Sequence, residues 1–333
     1  MIINMSVKYR SVFTFSAESE ELAFNELCGL SVQFIMRLDK GVVLFGHDQS
    51  FFLLSEEVKK LIFIRHIFPV DGEFDLDGDV FERLGTHLSG YLESLDIALP
   101  VSVQVRSAGG DSRGFKAKII NFFTDRGYDY SQSQPVNIIS VFLTEKKLYI
   151  GASNAAENLS GWAGGARHYA YRGDTFSRAE FKLLEAIELS GLELKSGQRA
   201  LDLGAAPGGW TKVLSERGLC VTAVDPAEIE YTGEGVVHFK GLADEFFRQS
   251  NNVFDIIVND MRMDVLMSAS AMLKAADILF SGGFAVMTFK LPQKKPMGLI
   301  KKGFSILKER YDIVFARQLF HNRSEITLVL RKN

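Results

Sequence analysis

Short apolar runs separated by helical sequence dominate the second half of the chain. They lie near residues 200–203, 219–224, 236–239, 254–258 and 284–289. Such runs are typical of buried strands, and their alternation with helical patterns predicts a parallel sheet covered on both faces. The last two runs, 313–316 and 326–330, are too close together for a helical crossover. They predict an antiparallel hairpin at the sheet edge, and hence a seven-stranded α/β sheet whose last strand is reversed.

The first half of the chain has the pattern of a mixed α+β region. Its predicted elements are strands at 8–15 and 42–45, a helix at 20–27, a strand at 101–106, a helix at 115–123 and a hairpin at 136–151. We expect this region to span 1–160, with a ferredoxin-like part over about 1–95 and a second part over about 96–160. Residues 161–176, rich in small side chains, predict a linker to a second domain over 177–333.

The apolar run at 200–203 ends in a Gly-rich turn, Gly204-Ala-Ala-Pro-Gly-Gly-Trp210, that leads into helical sequence. A turn of this kind lets the backbone approach a ligand closely and aims helix N–H groups at it. The glycine spacing differs from the G-x-G-x-x-G of dinucleotide sites. The next strand ends in Asp225, about 20 residues on, where an acid can hold ribose hydroxyls. The pair predicts a nucleoside-bearing cofactor.

Charged residues follow or open several of the predicted strands. Asp225, Asp260 and Lys290 come at or just after the carboxyl ends of three strands, and Glu325 opens the last one. Ligands of an open parallel sheet collect at the carboxyl ends of its strands. Each charge alone is typical of a strand end that reaches solvent, but together with the Gly-rich turn they indicate a site.

The composition is that of an ordinary soluble protein, with 47% hydrophobic and 24% charged residues among 333. No apolar run approaches the roughly 20 residues that span a bilayer, and no signal-peptide pattern is visible. Cys28 and Cys220 are the only cysteines, which argues against a disulfide framework or a zinc site. We therefore expect a cytoplasmic protein with no membrane contact.

The charge is distributed unevenly along the chain. The net charge of −3 combines −5 over 1–150 with +2 over 151–333, and Lys290–Arg310 holds seven basic residues and one acid. Such a basic stripe is equally typical of phosphate contacts and of a solvated helix face. The acidic stretch Asp71–Asp79 lacks the Gly and Glu positions of a calcium loop, so we interpret it as a solvated loop and expect no metal.

Five stretches together resemble the FtsJ-like ribose 2′-O-methyltransferases, and the resemblance covers about 165–333. They are Ser177-Arg-Ala-Glu-Phe-Lys182, Leu201-Asp-Leu-Gly-Ala-Ala-Pro-Gly-Gly-Trp210, Asn259-Asp-Met261, Thr288-Phe-Lys290 and Arg323-Ser-Glu325. Lys290-Leu-Pro-Gln-Lys-Lys295 and the stretch 316–325 are similar to the RlmM branch in particular. The resemblance implies a Rossmann-like methyltransferase domain. The strand order over about 100–155 also resembles a THUMP domain, an RNA-binding module.

The resemblance implies a catalytic Lys-Asp-Lys-Glu tetrad, matched here by Lys182, Asp260, Lys290 and Glu325. In the family, the lysine at the position of Lys290 takes the proton from the target ribose 2′-hydroxyl. A free lysine has a pKa of about 10.4, so a neutral amine is scarce at pH 7. Because the expected neighbours carry both signs of charge, the protonation state stays open. Our hypothesis is that the carboxylates orient the lysines and balance charge as the alkoxide develops.

The implied cofactor is S-adenosyl-L-methionine, whose methyl transfer needs no metal. The implied binding residues are Ser177, Gly204, Ala206, Pro207, Gly208, Gly209, Trp210, Asp225, Asp244 and Asp260. The turn from Ala206 to Gly209 would hold the methionine end and Asp225 the ribose hydroxyls. Leu242 stands where close relatives of FtsJ have an acid near the adenine, and Asp244 is the candidate to replace it.

The implied reaction is methylation of a ribose 2′-hydroxyl of RNA, at a cytidine of large-subunit (23S) ribosomal RNA. Three alternatives stay open from the sequence. They are a 2′-O-methyltransferase of another RNA such as tRNA, a non-catalytic RNA-binding or ribosome assembly factor, and an NAD-dependent oxidoreductase. The intact tetrad disfavours the second, and the glycine spacing disfavours the third.

Overall fold

The computed structural model describes residues 7–94, 100–109, 111–169, 177–294 and 296–333. Contacts within the chain divide it into two units, Met1–Arg167 and His168–Asn333. Among the described residues, no helix combines the length and apolar character that crossing a bilayer requires.

The first sheet of the first unit is entirely antiparallel, in the order β2-β3-β1-β4. The elements of this part are β1 (Tyr9–Phe15), α1 (Glu20–Leu27), β2 (Val32–Asp39), β3 (Val42–His47), α2 (Phe51–Val58) and β4 (Ile64–Val70). The central strand β1 has five consecutive buried residues because both of its edges are paired and both of its faces are covered.

The second sheet of the first unit is mixed, in the order β5-β8-β7-β6, with β6 and β7 parallel. The elements are β5 (Gly72–Asp75), α3 (Val80–Ser94), β6 (Val101–Ser107), α4 (Ser112–Thr124), β7 (Asn137–Leu143) and β8 (Lys147–Asn154). Leu84 and Leu88 of α3 and Ile119 and Phe123 of α4 pack against the sheet around Ile139. The expected hairpin at 136–151 is confirmed as the antiparallel pair β7 and β8.

The acidic stretch Asp71–Asp79 is only partly the solvated loop that its composition suggests. Its residues 72–75 form β5, which pairs with β8, because Phe74 packs into the core beneath α3. Asp77 is exposed and pairs with Arg83. Across the described ranges, no group of three or more potential ligands is arranged to hold a metal ion.

The beginning of the expected linker packs within the first unit. Residues 163–165 form a short 3₁₀ turn, and the hydroxyl of Thr14 donates to the carbonyl of Gly164 over 2.7 Å. Residues 170–176 of the expected linker lie outside the described residues.

The second unit is an α/β fold around one mixed sheet, in the order β11-β10-β9-β12-β13-β15-β14. Its elements are α5 (Ala179–Ser190), β9 (Arg199–Leu203), α6 (Gly209–Ser215), β10 (Cys220–Val224), β11 (Val236–Phe239), α7 (Ala243–Gln249), β12 (Phe254–Asn259), α8 (Val265–Ala275), β13 (Leu279–Lys290), α9 (Pro296–Leu307), β14 (Tyr311–Arg317) and β15 (Glu325–Lys332). Strands β9 to β13 are parallel, whereas β15 runs antiparallel to both of its neighbours, β13 and β14.

One edge of this sheet collects the charged residues. Leu203 and Asn259 are register partners at the ends of β9 and β12. The residues that follow them, Gly204 and Asp260, therefore lie side by side at this edge. Lys290 and Glu325 are partners across the antiparallel pair of β13 and β15. The reversal of β15 therefore brings its first residue to the edge where the parallel strands end.

Candidate active site

Lys182, Asp260, Lys290 and Glu325 form a closed ring in which each carboxylate bridges both ammonium groups. The Nζ of Lys182 lies 2.7 Å from Oδ2 of Asp260 and 2.9 Å from Oε1 of Glu325. The Nζ of Lys290 lies 2.5 Å from Oδ1 of Asp260 and 2.5 Å from Oε2 of Glu325. Opposite charges thus alternate around the ring. The structure brings together the four residues predicted from the sequence, although they come from four separate segments.

Burial makes these contacts strong. The side chains of Lys182, Asp260 and Glu325 expose only 12%, 15% and 10% of their surface, and Lys290 is the most open at 27%. Burial raises the pKa of Asp260, but the charges and hydrogen bonds of both lysines outweigh it and hold that pKa below its ordinary value. Burial lowers the pKa of Lys182, but Asp260 and Glu325 reverse this effect and raise it. Asp260 and Lys182 are therefore stabilised as an ion pair.

Helix α5 places Lys182 through contacts at its first turn. The helix begins at Ala179, one residue later than the capping box Ser177-x-x-Glu180 predicts, because Arg178 and not Ser177 stands at the N-cap. Only half of that box forms: the N–H of Ser177 donates to Glu180, while the Ser177 hydroxyl accepts from Ala179. The indole N–H of Trp210 donates to the carbonyl of Ala179 over 2.7 Å, which ties α6 to the same turn.

The turn after β9 presents its backbone without side chains in the way. Gly204 has a φ of +79°, and a Cβ placed there would lie 2.7 Å from Cγ of Met261 and 3.1 Å from its Cα. A Cβ on Gly209 would lie 2.4 Å from the Ser177 hydroxyl. The two glycines therefore keep open a cradle that larger residues would fill, which suits close backbone approach to a cofactor.

Asp225 stands at the end of β10 and stabilises the same turn. Its Oδ2 accepts from the N–H of Ala206 over 3.1 Å, and its Oδ1 accepts from the N–H of Ala227 over 2.8 Å. The carboxylate is half-buried and lines the cavity beside Pro226. It is therefore placed both to hold the turn and to accept hydrogen bonds from a ligand's hydroxyl groups.

The far side of the cavity carries the residues expected near an adenine. Asp244, at the first turn of α7, lies 2.8 Å from Nζ of Lys274 on α8. Leu242 and Met267 are exposed apolar residues of the same wall. A carboxylate and apolar side chains thus stand together here, but the carboxylate is paired with a lysine that the motif comparison did not single out.

These residues surround one cavity of about 1370 Å³ within the second unit. The predicted site residues that line it are Ser177, Lys182, Gly204, Ala206, Pro207, Gly209, Trp210, Asp225, Asp244, Asp260, Lys290 and Glu325. Gly208 shapes the turn, with a φ of +120°, without lining the cavity. The volume exceeds the roughly 300–1,000 Å³ of a typical small-molecule site, so the cavity has room for two ligands.

Sequence reasoning missed several residues in or beside this site. Two of them are buried next to the ring: the hydroxyl of Thr288 donates to Oδ1 of Asp260 over 2.6 Å, and Asn322 donates to Oε1 of Glu325 over 3.5 Å. Three others, Arg178, Arg262 and Arg323, line the cavity. Each of them lies within four residues of a tetrad member, and that proximity is the signal that points to them.

Replacement of Gly204 by Ala should weaken binding of S-adenosylmethionine about tenfold or more. The left-handed backbone costs a side chain roughly 1–2 kcal/mol, and the new methyl group would displace Met261 beside the turn where the sequence predicts the cofactor. Gly197→Ala is the matched control, because Gly197 has a φ of +84° and no atom near its Cβ position. Calorimetric titration should show normal cofactor affinity for G197A, and equal affinities in both variants would contradict the assignment of this turn.

The fold and the site define a class. A parallel sheet with a reversed last strand, a Gly-rich turn after β9 and an acid after β10 are the features of a Rossmann-like α/β fold that binds its ligand at the carboxyl ends of the strands. Residues 175–330 match the family model described as FtsJ-like methyltransferase. FtsJ-like methyltransferases use S-adenosylmethionine as their methyl donor.

Curated relatives are similar in sequence over different shares of the chain. The ribosomal RNA large subunit methyltransferase M of Psychromonas ingrahamii is 36% identical over 208 residues, 57% of this chain and 55% of that protein. The protein of that name from Azoarcus sp. is 33% identical, over 54% of this chain and 52% of that protein. These two matches span about half the length of each relative. The Thauera aminoaromatica protein of the same name is 28% identical over 83% of this chain and 80% of its own length.

Proposed function

We propose that this protein transfers a methyl group from S-adenosylmethionine to a ribose 2′-hydroxyl of RNA. The observation that carries the proposal is the closed Lys182–Asp260–Lys290–Glu325 ring at the wall of a cavity that also holds the Gly-rich turn. The names of the relatives support large-subunit ribosomal RNA as the substrate. The resemblance to the RlmM branch supports a cytidine as the target.

Lys290 is the residue that receives the 2′-hydroxyl proton. It is the most exposed member of the ring and lines the cavity. For this step Lys290 first releases its own proton to water. Asp260 and Glu325, which both contact its Nζ, then stabilise the ammonium group that forms again when the amine accepts the 2′-hydroxyl proton. The 2′-oxygen then bonds to the methyl carbon. When bound, S-adenosylmethionine supplies that methyl on a sulfonium and leaves as neutral S-adenosylhomocysteine.

The cofactor lies along the edge of the sheet in this proposal. Ala206, Pro207, Gly208 and Gly209 hold the methionine end, and Asp225 accepts from the ribose hydroxyls. Asp244, Leu242 and Met267 surround the adenine. The open cradle at Gly204 and the position of Asp225 at the end of β10 support this orientation.

An arginine rim, formed by Arg178, Arg262 and Arg323, supports a polyanionic acceptor. All three side chains belong to exposed residues that line the cavity, and none forms an ion pair with another described residue. Guanidinium groups without carboxylate partners are suited to bidentate contacts with phosphate. The rim therefore explains how a chain with a net charge of −3 can bind RNA.

The second sheet of the first unit is the candidate THUMP-like RNA-binding part of the protein. Its order of strand, helix and hairpin, β6-α4-β7-β8, supports this assignment. Cations lie over aromatic rings on its helices, with Lys118 4.0 Å from the ring centre of Phe81 and Arg126 3.7 Å from that of Phe122. Cationic side chains that remain at the surface of these helices are suited to contacts with phosphate.

Removal of one rim arginine should weaken RNA binding in a salt-dependent way. For Arg323→Gln we expect the slope of log K against log salt to fall by about 0.7, the value for one phosphate contact in single-stranded RNA. Arg310→Gln is the matched control, because Arg310 is exposed, pairs with Asp277 and lies outside the cavity. Equal salt slopes for R323Q, R310Q and the unaltered protein in filter-binding titrations would contradict the rim assignment.

The direct test of the proposed function is methyl transfer from labelled S-adenosylmethionine to purified RNA. We expect label in large-subunit ribosomal RNA that lacks its natural modification, recovered as a 2′-O-methylated cytidine after nuclease digestion. Label in a base, in tRNA alone or in no RNA would overturn the substrate assignment.

A further inference from the structure

Glu185 is a buried carboxylate that the proposed mechanism does not use. It lies on α5, three residues after Lys182, and only 2% of its surface is exposed. A carboxylate in such a place is costly unless several hydrogen bonds compensate for the lost water. The identity of its partners therefore indicates what the residue does.

Within the described residues, the hydrogen-bond partners of the Glu185 carboxylate lie on the segment that precedes Glu325. Its Oε1 accepts from the N–H of Phe320 over 2.8 Å. Its Oε2 accepts from the N–H of His321 over 3.0 Å, and Nδ1 of His321 lies 2.8 Å from the same oxygen. Two of the three contacts are made by backbone, so the carboxylate fixes the course of the main chain here.

Further hydrogen bonds connect this segment to Glu325. The Oδ1 of Asn322 accepts from the N–H of Leu319 over 2.8 Å and from the Thr327 hydroxyl over 3.1 Å. The same side chain donates to Oε1 of Glu325. The His321 ring is also held by aromatic neighbours, with ring centres 5.3 Å from Phe181 and 5.4 Å from Tyr169. A displacement at Phe320 would therefore be transmitted to Glu325.

We propose that Glu185 is a positioning residue, which fastens the 318–325 segment to α5 and so sets the distance between Glu325 and the two lysines. Residues three apart share a face of a helix, so α5 carries Lys182 directly and Glu325 through Glu185. One rigid helix thereby fixes two corners of the ring. The inference deepens the proposed function and rests on it for its activity readout.

Glu185→Gln should lower kcat by about 10- to 100-fold, because misplacement of a catalytic group by about 1 Å costs a factor of this size. The amide keeps the volume of the side chain but replaces one acceptor oxygen with a donor, so it cannot accept all three hydrogen bonds. KM for S-adenosylmethionine should stay within twofold, since Glu185 does not line the cavity. His321→Gln should have the smaller effect on kcat, because both backbone contacts remain.

Glu188→Gln is the matched control, because Glu188 lies on the same helix but is exposed. Its carboxylate accepts a hydrogen bond from the Tyr169 hydroxyl, which the oxygen of an amide can also accept. Amide hydrogen exchange gives a readout independent of catalysis: E185Q should speed exchange at Phe320 and His321, and E188Q should not. Unchanged kcat with unchanged exchange in E185Q would overturn the inference, as would a loss of kcat matched by an equal loss of cofactor binding. If the unaltered protein transfers no methyl group, the proposed function fails and hydrogen exchange alone decides the role of Glu185.

Discussion

Lys290→Ala should abolish methyl transfer while cofactor binding stays within about twofold of normal. The substitution removes the proposed base and leaves Asp260 and Glu325 bridged only by Lys182. Proton abstraction by a positioned base contributes roughly 10²–10⁴-fold to a rate, and here the same side chain also balances two buried carboxylates. We expect turnover below the detection limit of a labelled-methyl assay.

Lys294→Ala provides the control, because Lys294 is an exposed lysine four residues along the chain that does not line the cavity. It should retain most of the transfer rate. Calorimetry with S-adenosylmethionine separates loss of chemistry from loss of the cofactor site. Substantial transfer by K290A would remove Lys290 from the role of base.

The second large effect concerns stability, and it depends on Asp202 of β9. This carboxylate is only 1% exposed and accepts from the Thr211 hydroxyl over 2.6 Å. Burial raises its pKa from 3.8 to about 7, and the charges of Asp260 and Asp225 add to the rise, while the Thr211 hydrogen bond opposes it. The folded state therefore binds this proton more tightly than the unfolded chain does.

The sign of the pH dependence follows from that difference. Between pH 4 and 7 the folded state holds more protons at Asp202, so this group's contribution to the free energy of unfolding falls as pH rises. Above pH 7 the contribution of Asp202 to the free energy of unfolding is lower by about 4 kcal/mol than at pH 4, at 1.36 kcal/mol for each pKa unit. Asp202→Asn removes the titration and can still accept from Thr211. D202N should thus be more stable than the unaltered protein at pH 8, with little difference at pH 4.

Urea unfolding at several pH values measures this effect. Asp312→Asn is a suitable control, since Asp312 is an exposed carboxylate on β14. A stability difference between D202N and the unaltered protein that is the same at pH 5 and pH 8 would contradict the raised pKa of Asp202.

The sequence predicted the second unit best, because short apolar runs indicate its strands and charged residues follow those runs at the strand ends. The short apolar runs after residue 200 correspond to strands, and the residues at their ends meet at one edge because parallel strands end together. Strand β13 begins at Leu279, five residues before the apolar run, and Gly282 with a φ of +74° accompanies a shift of register near its start. Residues 281–283 are small and break the apolar pattern, so the pattern does not predict this first part of the strand.

Helix α5 shows what pattern alone does not provide. Its apolar positions predict that Phe181, Leu184 and Ile187 face the core, whereas Leu183 and Ala186 are the apolar residues that are fully buried. Glu180 and Glu185 are buried on the same helix, where hydrogen bonds from the N–H groups of Ser177 and Phe320 compensate for lost water, and a scale of hydrophobicity does not include such compensation. The hydrophobic pattern of α5 gives no reason to place Lys182 at the site, and only the family resemblance points to it.

The central claim is that the ring formed by Lys182, Asp260, Lys290 and Glu325 directs methyl transfer to a ribose. Mapping of 2′-O-methyl groups in ribosomal RNA tests it most directly, in cells that contain the protein, lack it, or carry only K290A. The account predicts one methylated ribose in large-subunit RNA that disappears in both altered strains and returns with the unaltered gene. A methylation pattern that is the same in all of these cells would contradict it.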